Sequence, residues 1–169
     1  MVPGSDGKAA PAHVTTMELR GDREIVIARV FDQPPAVVFD AWTRPELVAR
    51  WWAPASHGVT VRSCEADVRA GGRYRYVLRH RTGDEIAFSG TYREVTPPSR
   101  LVYTQAFEQM PAGEVVVTVT FEARDGGTHL VSREEYPSAE VRAAALASGM
   151  EHGMREAMDQ LAALVALSR

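Results

Sequence analysis

Five turn signals break the stretch from Gly58 to Tyr136 into strand-length pieces, and this punctuation limits what the chain can become more than any other feature. The breaks are Gly71-Gly72, Thr82-Gly83-Asp84, Pro97-Pro98, Pro111-Ala112-Gly113 and Asp125-Gly126-Gly127, residue types that reverse a backbone and interrupt a helix or strand. Between them lie VTVRSCEADVR, RYRYVLRHR, EIAFSGTYREV, RLVYTQAF, EVVVTVTFEAR and THLVSREEY, rich in β-branched and aromatic residues. Six strands joined by short turns make an antiparallel meander. An earlier run, EIVIARVF from Glu24, adds a seventh strand.

After Pro137 the period changes. Ser138 can cap a helix running to about Leu167, with Val141, Ala145, Leu146, Met150, Met154, Met158, Leu161 and Val165 on one apolar stripe. A helix of nearly 30 residues is about 45 Å long and must lie along something extended, and the sheet is the one candidate. Between the first strand and the meander, DQPPAVVFDAW and TRPELVARWWAP read as two short helices, with Pro45 in a first turn and Pro54 as a stop. Thr43 and Glu46 have capping-box spacing.

RYRYVLRHR alternates most clearly, with Tyr74, Tyr76, Leu78 and His80 on one face and an arginine row on the other. A sheet with one wet face writes this pattern, the arginines meeting cross-strand carboxylates. Residues 1 to 20 mix Gly, Pro, Ala and polar residues without periodicity and read as a flexible tail, leaving 21 to 169 as a single domain.

Composition excludes several functions. No apolar run approaches the roughly 20 residues of a membrane span, and no secretory signal is visible, so a cytoplasmic protein without a membrane role is expected. A net charge of −3 does not predict nucleic-acid binding. The lone Cys64 excludes an internal disulfide and reads as a small buried residue. Five histidines lie scattered without a metal-binding spacing, and there is no nucleophile elbow, P-loop or dinucleotide fingerprint. No metal, no cofactor and no catalytic residue is therefore assigned. Glu65 and Asp67 alternate with apolar neighbours and are expected to leave the core for arginines on adjacent strands.

The order strand, two short helices, six antiparallel strands and long C-terminal helix resembles the helix-grip plan of the START and Bet-v-like superfamily, also called SRPBCC. Within it the chain is similar to the bacterial homologues of the activator of heat-shock-protein ATPase, C-terminal domain. The resemblance spans Glu24 to about Leu167 and is carried by VFDAWTRPELVARWWAP, CEADVRAGGRYRYVL, FSGTYREVTPPSRLVYT, VTVTFEARDGGTHL and GMEHGM. It implies an α+β fold: a curved seven-stranded antiparallel sheet wrapped around a long C-terminal helix, two short helices after strand one, and a cavity between sheet and helix. Where the family commonly has Gly-Trp, this helix has Gly153-Met154, a departure that bears on pocket shape.

The residues expected to bind a ligand there are Trp52, Tyr74, Tyr76, Leu78, His80, Phe88, Tyr103, Phe107, Val119, Met150 and Met154. Rings give contact area, phenols orient and thioethers adapt, so the expected partner is a small hydrophobic or aromatic molecule. The alternatives are a cyclase or hydrolase using the same cavity through His80, Tyr74, Tyr76 and Tyr103, and a chaperone ATPase regulator. The reading inclines away from an enzyme, and the apparent want of a further N-terminal domain argues against a chaperone partner. Members of such families often pair, so a homodimer is expected. Gly149 and Gly153, four apart in GMEHGM, should weaken the helix and so point to a close approach on the face beside Met150 and Met154.

Overall fold

The computed structural model describes residues 14–109 and 113–168. The first part of the expected tail, residues 1–13, and residues 110–112, which include the first two positions of the expected Pro111-Ala112-Gly113 turn, lie outside the described residues.

The meander forms as its turn signals dictate. Strands β3 (Val59–Ala66), β4 (Arg73–His80), β5 (Glu85–Thr96), β6 (Arg100–Phe107), β7 (Val115–Arg124) and β8 (Gly127–Glu135) pair antiparallel in chain order, and β2 (Glu24–Phe31) closes beside β8. The sheet has eight strands rather than seven, because β1 (Thr16–Arg20) pairs with β2 from Thr16↔Ala28 to Arg20↔Glu24. This corrects the expectation of a tail through residue 20. The overlooked signal is Gly21, which takes φ +54° and turns TMELR back onto EIVIA as a hairpin. Register shifts at Val61/Ser63 in β3 and Tyr92/Glu94 in β5 mark bulges, which bend a sheet and increase its twist.

Two short helices follow β2: α1 (Pro35–Thr43) and α2 (Pro45–Val48). Pro45 opens α2 as expected, but the capping box does not form. Thr43 is the last residue of α1, its buried hydroxyl donating to Phe39 O at 2.8 Å, and Glu46 pairs with Arg44 at 2.7 Å. Beyond α2 the chain keeps turning to Trp52 and reaches a short 3-10 turn at Ala55–His57.

The C-terminal helix is broken in two. Helix α3 (Ala139–Ala147) is capped by Ser138, whose Oγ accepts from Val141 N at 3.2 Å, and α4 (Met150–Val165) starts afresh after Gly149. Gly149 takes φ +82°, a left-handed conformation that stops α3 and redirects the chain. The continuous helix to Leu167 is thereby corrected: the apolar stripe runs through the break, and a break of two residues, Ser148 and Gly149, leaves its period readable. Of the two halves only α4 has fully buried positions, at Ala157, Met158, Leu161 and Val165, whereas α3 reaches the first hairpin through Arg142, which donates to Arg20 O and Glu24 O.

The core collects Ile25, Leu101, Val119, Leu130 and Leu161, all 0% exposed, with Val38, Phe39 and Ala41 of α1. Arg29 on β2 is buried yet donates to Thr15 Oγ1 and to exposed Asp159 on α4, tying edge, sheet and helix together. The arginine row meets carboxylates as its pattern implied: Arg75 holds Glu108 through two bonds of 3.0 and 3.1 Å, and Arg79 reaches Glu85. Glu65 is exposed opposite Arg75, whereas Asp67 pairs with its near neighbour Arg69 rather than across the sheet. No helix among the described residues is long and apolar enough to cross a membrane.

Candidate functional site

A cavity of about 330 Å³ lies between the sheet and α4. Its walls are built by three elements whose sequence placed them there. Alternation in β4, β5, β6 and β8 sends Leu78, Phe88, Tyr103, Ser132 and Glu134 inward, the helical stripe sends Met150, Met154 and Met158 to meet them, and the turn after α2 folds Trp51, Trp52 and Pro54 over one end. The aromatic walls brace one another: Trp52 meets Tyr76 edge-on at 5.1 Å between centroids, and Trp42 and Trp51 lie 4.9 Å apart.

Of the eleven residues expected to bind a ligand, six line this cavity: Trp52, Leu78, Phe88, Tyr103, Met150 and Met154. Tyr74 and Tyr76 are buried beside it, around a neighbouring void of about 10 Å³ that they share with Trp42, Trp52, Tyr92 and Tyr103. Phe107 stands one ring further out, stacked on Phe88 at 5.2 Å, and Val119 is sealed in the core. His80 shares the face of Tyr76, but it ends β4, where its Nδ1 pairs with Thr82 Oγ1 of the hairpin turn at 3.0 Å. These five placements outside the cavity have one cause: alternation tells which residues share a face, while the cavity occupies only part of that face.

The tyrosine hydroxyls are engaged with neighbouring groups. Tyr74 donates to Thr104 O at 2.6 Å, Tyr103 accepts from Trp42 Nε1 at 3.3 Å, and Tyr76 hydrogen-bonds to Tyr92. Burial raises all four phenols above their ordinary range. Cys64 is half-buried and its thiol is pushed up to about 12, mainly by burial, so it is inert as a nucleophile.

Three polar groups on the sheet side of the cavity are ones the sequence reading passed over: Gln105, Ser132 and Glu134. Glu134 is the most consequential. Its neighbours in the sheet are Ile25 and Val117, and desolvation by these surroundings pushes its carboxyl up to about 7, against a smaller opposing effect from the Tyr136 hydroxyl, which donates to it at 3.4 Å. In THLVSREEY the alternation Leu130, Ser132, Glu134 marks the inward face, so the signal was present in the pattern.

Gly153 faces the turn that closes the cavity. A β-carbon there would lie 3.3 Å from both Pro54 Cγ and His57 Cε1, tighter than ordinary contact. The close approach expected of GMEHGM is thus made by Gly153 alone, against a loop rather than a strand. That loop is fastened to α4: Gln160 Nε2 donates to Trp51 O and Ala53 O at 2.9 and 2.8 Å, while its Oε1 accepts from Ala55 N.

The model of the family described as Activator of Hsp90 ATPase homolog 1-like protein matches residues 32–166. A crystal structure from Rhodobacter sphaeroides is similar with a TM-score of 0.84 and 26% identity, over 90% of this chain and 99% of that one. A protein of Mycobacterium smegmatis is similar with a TM-score of 0.78 and 26% identity, over 89% and 96% of the two chains. One of Chromobacterium violaceum has 30% identity and a TM-score of 0.71, over 85% and 97%. No curated protein matches the sequence.

Proposed function

This chain belongs to the Activator of Hsp90 ATPase homolog 1-like family, and on that premise we propose that it binds a small hydrophobic or aromatic molecule between its sheet and α4. The observation that carries the reading is the cavity: about 330 Å³, within the range of roughly 300–1,000 Å³ of small-molecule sites, walled by rings and thioethers and holding few polar groups. Trp42, Trp51, Trp52 and Phe88 offer flat contact area. Met150, Met154 and Met158 form an adaptable wall opposite them. Glu134, Ser132 and Gln105 orient the occupant, so the preferred molecule carries a hydrogen-bonding group at one end of an apolar body.

Screening aromatic and hydrophobic metabolites by native mass spectrometry and thermal shift tests this. Expected are binders that quench tryptophan emission and lose affinity in Met154→Trp, which fills the cavity. Binding that survives this filling places the molecule elsewhere, and no binder from a broad set refutes the reading.

Glu134 favours a second reading, a general acid–base enzyme acting on the same occupant. A carboxyl near 7 exchanges protons readily at neutral pH, the property such catalysis needs. Turnover of a bound compound that stops in Glu134→Gln while binding persists would establish it, and binders that emerge chemically unchanged count against it.

A further inference from the structure

We propose that His57, His152 and Glu156 form a binding site for a divalent transition-metal ion of the zinc or cobalt kind at the edge of the cavity. Their donor atoms, two imidazole nitrogens and a carboxylate oxygen, all lie within 4.8 Å of one another. The residues are 95 and 4 positions apart along the chain, so no local spacing announces them, and it is the docking of the Ala55–His57 turn on α4 that brings them together.

Three features make this a prepared arrangement. His152 and Glu156 are one helical turn apart and project from the same face of α4. Ser56 fixes the carboxylate by donating from its backbone N at 2.8 Å and from its hydroxyl, and each carboxylate oxygen keeps a further lone pair for a metal. Gly153 lets the turn settle against the helix, where a β-carbon would crowd Pro54 and His57 at 3.3 Å, and the two imidazole rings lie stacked 5.5 Å apart and only 17° from parallel. Gln160 anchors the preceding residues to the same helix, so the position of His57 does not depend on the histidines themselves.

The donor set selects the ion. Calcium and magnesium take oxygen ligands, whereas two imidazoles and one carboxylate suit zinc and its neighbours in the first transition row. Zinc holds such donors at about 2.0–2.2 Å, which requires the three atoms to draw closer than their 4.8 Å limit. Both histidines are exposed, and rotation of their side chains closes the distance without backbone movement. Three protein donors leave a fourth position for water or for a donor atom of a molecule in the cavity, since His57 also lines that cavity. The metal site stands whether or not the cavity takes a ligand.

The test uses the full chain, stripped with a chelator and titrated with Zn²⁺ against a chromophoric competitor and with Co²⁺ by visible absorption, with no cavity ligand present. Expected is one equivalent bound, a cobalt spectrum of a site containing nitrogen donors, and a rise in Tm with metal. His57→Ala and His152→Ala should each weaken binding by at least the roughly 10–100-fold that loss of an outer-shell partner costs. Glu156→Gln should weaken it too, with Ser56 still able to donate. Circular dichroism confirms that the variants fold, as substitution of exposed histidines should allow. Wild-type affinity in His57→Ala would overturn the proposal, because the site would then not bridge turn and helix. So would the absence of stoichiometric binding to the wild-type chain.

Discussion

Glu134→Gln should stabilise the protein above neutral pH and leave it unchanged in acid. The carboxyl sits against apolar strands at about 7 instead of the ordinary 4.5. Between these two values the native chain keeps a proton that the unfolded chain has released, so stability falls as pH rises through the window, and the full cost is present above pH 7. At about 1.4 kcal/mol per pH unit the difference is roughly 3 kcal/mol. Glutamine has nearly the same shape, still accepts from the Tyr136 hydroxyl and carries no charge to desolvate. At pH 8 the variant should therefore melt about 6 to 12 °C above wild type, using about 2 to 4 °C per kcal/mol for a chain of this size. Near pH 4.5 most of that gap should have closed. Melting curves from pH 4 to 9 by circular dichroism provide the measurement. A gap that stays constant with pH would refute the reasoning, since glutamine would then be acting through packing rather than through a desolvated carboxylate.

The helix break and the loop contact separate cleanly by substitution. Gly149→Ala meets nothing within 4 Å and should cost only the left-handed backbone, about 1–2 kcal/mol by chemical denaturation, and an unchanged midpoint would mean that the break is not needed. Gly153→Leu has ordinary helical backbone but crowds Pro54 and His57, so it should lose about 1–3 kcal/mol and alter the emission of Trp51 and Trp52 in the attached loop, whereas unchanged melting and emission would show that the loop does not press on α4. Cys64, half-buried with a thiol near 12, should react with a disulfide reagent at pH 8 far more slowly than an unfolded control, and equal rates would place it at the surface. Asp159→Ala should destabilise by more than the roughly 0.5 kcal/mol usual for an exposed residue, because it strips a carboxylate partner from buried Arg29, and a smaller loss would show that Thr15 suffices.

The strands were legible because turn residues and alternation act locally, and EIVIARVF and RLVYTQAF have the bounds their composition suggests. Failures of the reading came where one local signal was outweighed by a pairing partner elsewhere. TMELR is too short and too mixed to read as a strand alone, and β2 supplies the partner that makes it one. Thr43 and Glu46 have the spacing of a cap, but tertiary packing buries Thr43 at the end of α1. The histidines illustrate the same limit, since only the docking of a turn on α4 brings His57 beside His152. Glu134 shows a different one. Alternation in β8 placed it on the face of Leu130 and Ser132, yet a charged residue near a strand end is ordinarily assigned to water. That assignment holds where the inward face meets a packed core, which would exclude the charge. Here the end of that face opens into a cavity, where a carboxyl can be retained by taking up a proton, so the polar residue that hydropathy assigns outward is the one that gives the cavity its chemistry.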